Sequence, residues 1–231
     1  MASNAALLWQ DVNSEESWKP LIYPFIFWAS SYLYCQLPPT RRRRQDKTLE
    51  WHEWHALHNL HNAGAILLAL GSLLLHDDTI LNERFGILFS LSYFLVDLVD
   101  TTTRLDGPYI LHAVMVLVLA TFNYTTPLHR QLRMNSKAAL LETSTPFLYH
   151  AKQTRNPIHF CLFAIVFTLC RIIWLPIMML QLRDHDLPWN DIRLIIVMAF
   201  YALNLFWYAK ILRIIITEGI NLIQARKTKT Q

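Results

Sequence analysis

The chain has 231 residues, of which 53% are hydrophobic and only 16% charged, where an average soluble domain is roughly a quarter charged. Mean hydropathy is +0.23, and the apolar residues come in long blocks, a distribution that excludes an ordinary soluble globule. The formal charge of +4 does not mark a nucleic-acid binder, because the basic residues sit mostly between the apolar blocks, where they fix orientation in a bilayer.

In chain order, residues 1–19 are polar and acidic, with neither a basic n-region nor an A-x-A cleavage site. The first apolar block is therefore expected to stay in the mature protein. A helix needs about 20 mainly apolar residues to cross a bilayer core. Seven candidate spans follow at 21–38, 55–75, 82–99, 109–124, 138–150, 159–181 and 192–217. The fifth carries Glu142 and Pro146 and fails a plain hydropathy test. It reads as a short, protein-enclosed or re-entrant helix, which is tolerated only away from lipid. No block alternates apolar and polar residues as a membrane barrel strand would. The expected architecture is an all-α polytopic membrane bundle of about seven helices.

Orientation follows from the loops. With Arg41, Arg42, Arg43, Arg44 and Lys47 inside, the N-terminus is outside, and Lys152, Arg155, Arg226, Lys227 and Lys229 all fall inside. One loop objects, since Arg130, Arg133 and Lys137 would lie outside. Three segments are expected: 1–49 with the first helix and a basic cytosolic loop, 50–220 as the main domain, and 221–231 as a basic cytosolic tail. The three cysteines, Cys35, Cys161 and Cys170, lie inside apolar blocks without CxxC spacing, so no disulfide framework is expected.

Ionisable groups inside spans cost a few kcal/mol each, which makes them the natural place to look for function. His61 lies on the second span, Asp97 on the third, His112 on the fourth, Glu142 on the fifth, Arg171 on the sixth, and Asn204 and Lys210 on the seventh. A shared polar interior facing away from lipid explains them jointly. Each also has a structural reading: Asp97 as an ion-pair partner of Arg171 or another cation, His112 as a satisfied core histidine, Glu142 as a hydrogen-bonding group beside Pro146, and Asn204 as an interhelical hydrogen-bonder. Asp100 reads as an interfacial charge, and Lys210 and Arg213 as snorkelling side chains. The series His52, His55, His58 and His61 turns back by about 60° at each step on a helix. All four cannot share one ligand face, so no metal site is expected. No glycine-rich phosphate loop, G-x-S-x-G or H-E-x-x-H motif occurs.

The order of several short elements resembles the TLC domain family. These are Trp51 with His61 ten residues on, Tyr93-Phe94 with Asp97, His112, Glu142 with Ser144-Thr145-Pro146-Phe147, Arg171 with Pro176, and Asn204 with Trp207. The resemblance covers roughly 50–220. It implies six helices around a narrow polar cavity, preceded by one extra helix, and work on membrane lipids in the endoplasmic reticulum or another endomembrane. In ceramide synthases of this family a His-His pair and intramembrane acidic residues transfer an acyl group from acyl-CoA to a sphingoid amine. By that resemblance His112 and Asp97 are the catalytic candidates, and His61, Glu142, Arg171 and Asn204 the substrate-binding ones. Acyl-CoA is the co-substrate, no cofactor or metal is needed, membrane lipids are the partners, and a homo-oligomer is compatible with such a bundle. The chain departs from ceramide synthases at Ala113, which follows His112 in place of a second histidine. In that respect it looks more like the small TLC domain-containing proteins, and a non-catalytic lipid-binding, sensing or transport role is the alternative.

Overall fold

A computed structural model of the chain describes residues 19–36, 54–75, 83–185 and 187–229, with side chains from 20 to 217 apart from 54–56. Arg41, Arg42, Arg43, Arg44, Trp51 and His52 lie outside the described residues. Every regular element described is helical. After a 3₁₀ turn at Lys19–Leu21 come α1 (Ile22–Gln36), α2 (Trp54–Leu75), α3 (Glu83–Thr103), α4 (Gly107–Thr125), α5 (Pro127–Gln131) and α6 (Met134–Ala139). A 3₁₀ turn at Leu140–Thr143 leads to α7 (Ser144–Thr154). Then α8 (Pro157–Phe167), a π turn (Thr168–Ile173) and α9 (Trp174–Asp184) run on without a break, and α10 (Ile192–Lys229) closes the series. The chain divides into two compact units, 1–140 and 141–231.

Four of the described helices are long and apolar enough to cross a membrane: Glu83–Thr103, Gly107–Thr125, Pro157–Asp184 and Ile192–Thr217. α2 has the length but opens on a polar stretch holding His55, His58, Asn59, His61 and Asn62. The fifth expected span is one 21-residue helical run, 134–154, interrupted by the 3₁₀ turn at its centre. A tighter turn of three residues there replaces the straight helix that a plain crossing would use.

In the first unit, α3 is the central helix. Ile87, Leu88 and Leu91 of α3 pack on Ala120 and Tyr124 of α4. Trp28 of α1 joins Tyr93, Phe94 and Ala113 in a second cluster and donates its indole N–H to the Phe89 carbonyl at 3.2 Å. In the second unit, Ala151, Phe163, Ala164, Phe167 and Ile211 form the core. Along the helix from 157 to 184, Ile158, Leu162, Ile165, Leu169, Ile173, Ile177 and Leu180 are all exposed. Their spacing of three and four residues makes one continuous apolar stripe. A stripe of that length on a protein surface needs lipid or another apolar phase against it.

Candidate functional site

The sequence-derived candidates fall into two polar centres, one in each unit. His61, Asp97 and His112 belong to the first; Glu142, Arg171 and Asn204 belong to the second.

The first centre is built on the α3–α4 hairpin. Asp97 lies six residues before the end of α3, and His112 five residues after the start of α4. At 1.5 Å per residue both stand about 8–9 Å from the turn, at the same level of two adjacent antiparallel helices. Phe94, one helical turn deeper than Asp97, meets the His112 ring edge-on with centroids 5.8 Å apart. Asp97 is 8% exposed, and His112 is half-buried. Asp100, near the end of α3, is buried within the protein and pairs with Arg104 one turn on.

His61, 1% exposed, is packed in an aromatic box. Its ring stacks on Tyr93 at 3.8 Å between centroids and lies parallel to Phe89 at 5.8 Å. Phe94 and Trp28 approach edge-on at 5.3 and 6.0 Å. Its Nε2 lies 3.3 Å from the Ser90 hydroxyl, and His58 hydrogen-bonds the Tyr93 hydroxyl. Gly64 lets α2 come this close, because a Cβ there would fall 2.7 Å from Phe89 Cζ. Among the described residues no three His, Cys, Asp or Glu side chains stand together as metal ligands would.

Sequence reasoning missed a buried latch in the same unit. The Glu83 carboxylate, 4% exposed, accepts the backbone N–H groups of Asn135 at 2.7 Å and Ser136 at 3.1 Å. The Ser136 hydroxyl donates to it as well, as does that of Ser72 at 3.3 Å. Arg133 donates to both Ser72 oxygens at 2.7 Å. Glu83 opens a helix and so reads in sequence as an ordinary first-turn acid; no short-range signal ties it to residues fifty positions away. Arg130 likewise donates to the Tyr124 carbonyl at 2.5 Å. Burial pushes the Lys137 ammonium below the usual lysine range, and attraction to Glu83 opposes that shift.

The second centre gathers round Arg171, whose side chain is 6% exposed. Pro176 supplies no N–H for the Ile172 carbonyl and its ring crowds that position. The helix widens into the π turn just before it, and the Tyr201 hydroxyl donates to the Ile172 carbonyl at 3.3 Å. Arg171 lies inside that turn. Its Nε donates to the Leu141 carbonyl at 3.2 Å and to Ser144 Oγ at 3.0 Å. Nη1 donates to Asn204 Oδ1 at 3.2 Å. Nη2 reaches Thr145 Oγ1 at 3.4 Å and Glu142 Oε1 at 3.5 Å. The ion partner of Arg171 is thus Glu142, and the guanidinium carbon sits 5.5 Å from the centre of the Phe167 ring. Thr145 donates to the other Glu142 oxygen at 3.0 Å, and Asn204 Nδ2 donates to the Phe200 carbonyl at 2.8 Å. The Glu142-Thr-Ser-Thr-Pro-Phe stretch, the most distinctive in the sequence, is therefore the cradle of this arginine. Ser144 and Thr145 stand out in the sequence only as part of that motif, and Leu141 and Tyr201 not at all, because apolar and aromatic residues are ordinary in a membrane helix.

No curated protein and no solved structure matches the chain. The family model of the TLC domain does, over residues 13–213. With the long apolar helices and the polar side chains buried among them, that match identifies the chain as a member of the TLC domain family, integral to the membrane and linked to lipid metabolism.

Proposed function

We propose that the protein transfers an acyl group inside the bilayer, from an acyl-CoA thioester to the amine or hydroxyl of a lipid. His112 is the nucleophile and Asp97 its orienting partner. The observation that carries this reading is the common level of the two residues on one helical hairpin. A neutral imidazole titrates near physiological pH and can attack a thioester. A His112 ring nitrogen adds to the thioester carbonyl and the C–S bond breaks. The CoA thiolate leaves and takes the proton given up by the imidazolium. The lipid amine or hydroxyl then attacks the acyl-imidazole, the bond from carbon to imidazole breaks, and the imidazole takes up the proton released by the nucleophile. Asp97 stabilises the imidazolium formed on the way. The reading places these groups in a seven-crossing bundle whose last six helices enclose the lipid, in the endoplasmic reticulum or another endomembrane.

The test is acyl transfer from labelled acyl-CoA to a sphingoid amine in membranes carrying the protein. His112→Ala is expected to abolish transfer, and Asp97→Asn to lower it about 100-fold. Unchanged transfer in His112→Ala would overturn the reading. A second reading, lipid recognition without turnover, is favoured by Ala113, which stands where ceramide synthases carry their second histidine. Stoichiometric lipid binding by a wild-type protein that performs no transfer would select it.

A further inference from the structure

We infer that the Arg171 cradle binds the acyl carbonyl oxygen of an uncharged lipid, an ester or an amide. The guanidinium carries five N–H donors. The single Nε–H is shared between Leu141 O and Ser144 Oγ, and one Nη1–H goes to Asn204. The second Nη1–H has no acceptor among the described residues. The two contacts of Nη2, at 3.4 and 3.5 Å, are longer than the usual 2.7–3.2 Å for N–H···O bonds. One edge of a buried cation is therefore held at ordinary lengths by uncharged oxygens, and the other by two long contacts, with one Nη1–H left over. Glu142 meets the guanidinium through one oxygen only, and its second oxygen accepts from Thr145.

The side of Glu142 is also the more open one, at 17% exposed against 6% for Arg171, and is where a ligand group would enter. Phe167 covers one face of the guanidinium. Charge decides what that ligand is. Arg171 and Glu142 together carry no net charge, so a phosphate or fatty carboxylate would leave an excess negative charge in a medium where that is costly. A carbonyl oxygen adds no charge, and its two lone pairs can accept from Nη1 and Nη2 together. The inference uses no residue of the first unit and does not depend on acyl transfer at His112.

The experiment measures lipid retained by the full chain in dodecyl maltoside micelles, by native mass spectrometry and without acyl-CoA. Three probes share the same two tails: a diacylglycerol, its dialkyl ether analogue without carbonyls, and the dialkyl ether phosphatidate. Wild-type protein is expected to retain the diacylglycerol about tenfold better than the ether, the worth of one charge-assisted hydrogen bond. Folded Arg171→Lys, which loses the planar fork, is expected to bring the two probes level. Equal retention of diacyl and dialkyl probes by wild type would overturn the inference. So would displacement of the diacylglycerol by the ether phosphatidate, which would mean an anion site instead. The wild-type comparison stands even if the variant fails to fold, and because no acyl donor is present the outcome is independent of the chemistry at His112.

Discussion

Arg171 carries a positive charge into a helix whose outward face is an unbroken apolar stripe. A charge there is tolerated only when its neighbours replace water, and here the Leu141 carbonyl, the Ser144 hydroxyl, the Asn204 amide and the Glu142 carboxylate do so. Removing one partner of such a pair strands the other. Arg171→Met is accordingly expected to cost about 3–5 kcal/mol, read as a fall in thermal stability in detergent. The double replacement with Glu142→Met should recover part of that loss, since no unpaired charge then remains; a double variant less stable than the single one would contradict this. Glu83 is a buried carboxylate held in the same way by its neighbours. Glu83→Gln loses charge-assisted bonds to α6 and is expected to cost about 1.5–3 kcal/mol, measured in the same way.

Elements owe their irregularities to single residues. The π turn precedes Pro176 because the proline deprives Ile172 of its helical donor, and Tyr201 supplies the replacement from α10. Tyr201→Phe keeps the ring and removes that donor. A loss of about 1 kcal/mol is expected, and unchanged stability would mean that the bond contributes nothing. The long helices were legible in the sequence as runs of apolar residues near 20 long, but their ends were less so: α3 runs on to Thr103 and α10 to Lys229, past the expected 99 and 217, and the short α5 was not expected. The π turn at 168–173 and the 3₁₀ turn at 140–143 were not legible, because both leave the apolar composition unchanged and depend on partners distant in the chain. Glu142, Arg171 and Asn204 could be picked out singly as costly residues inside spans. Their mutual bonding could not, because charge counts alone also allowed Arg171 to pair with Asp97.

Across the whole molecule, the basic residues at odds with the expected orientation, Arg130, Arg133 and Lys137, are engaged by the protein itself. Arg130 and Arg133 donate to the protein's own carbonyl and hydroxyl oxygens, and Lys137 is drawn by the buried Glu83. Charges engaged in this way count for less as topology signals than free loop charges would. The sequence treated them as loop charges because nothing local reveals that Glu83 lies beside them. The family was legible from the order of six weak motifs, and the match over 13–213 starts earlier and ends slightly sooner than the 50–220 read from those motifs.

Acyl transfer through His112 can be read by intact-mass spectrometry of purified protein incubated with acyl-CoA, comparing wild type with His112→Ala. A covalent acyl adduct is expected to be present on the wild type and absent from the variant. A wild-type protein that retains lipid but gains no adduct, or an adduct that persists in His112→Ala, would contradict it.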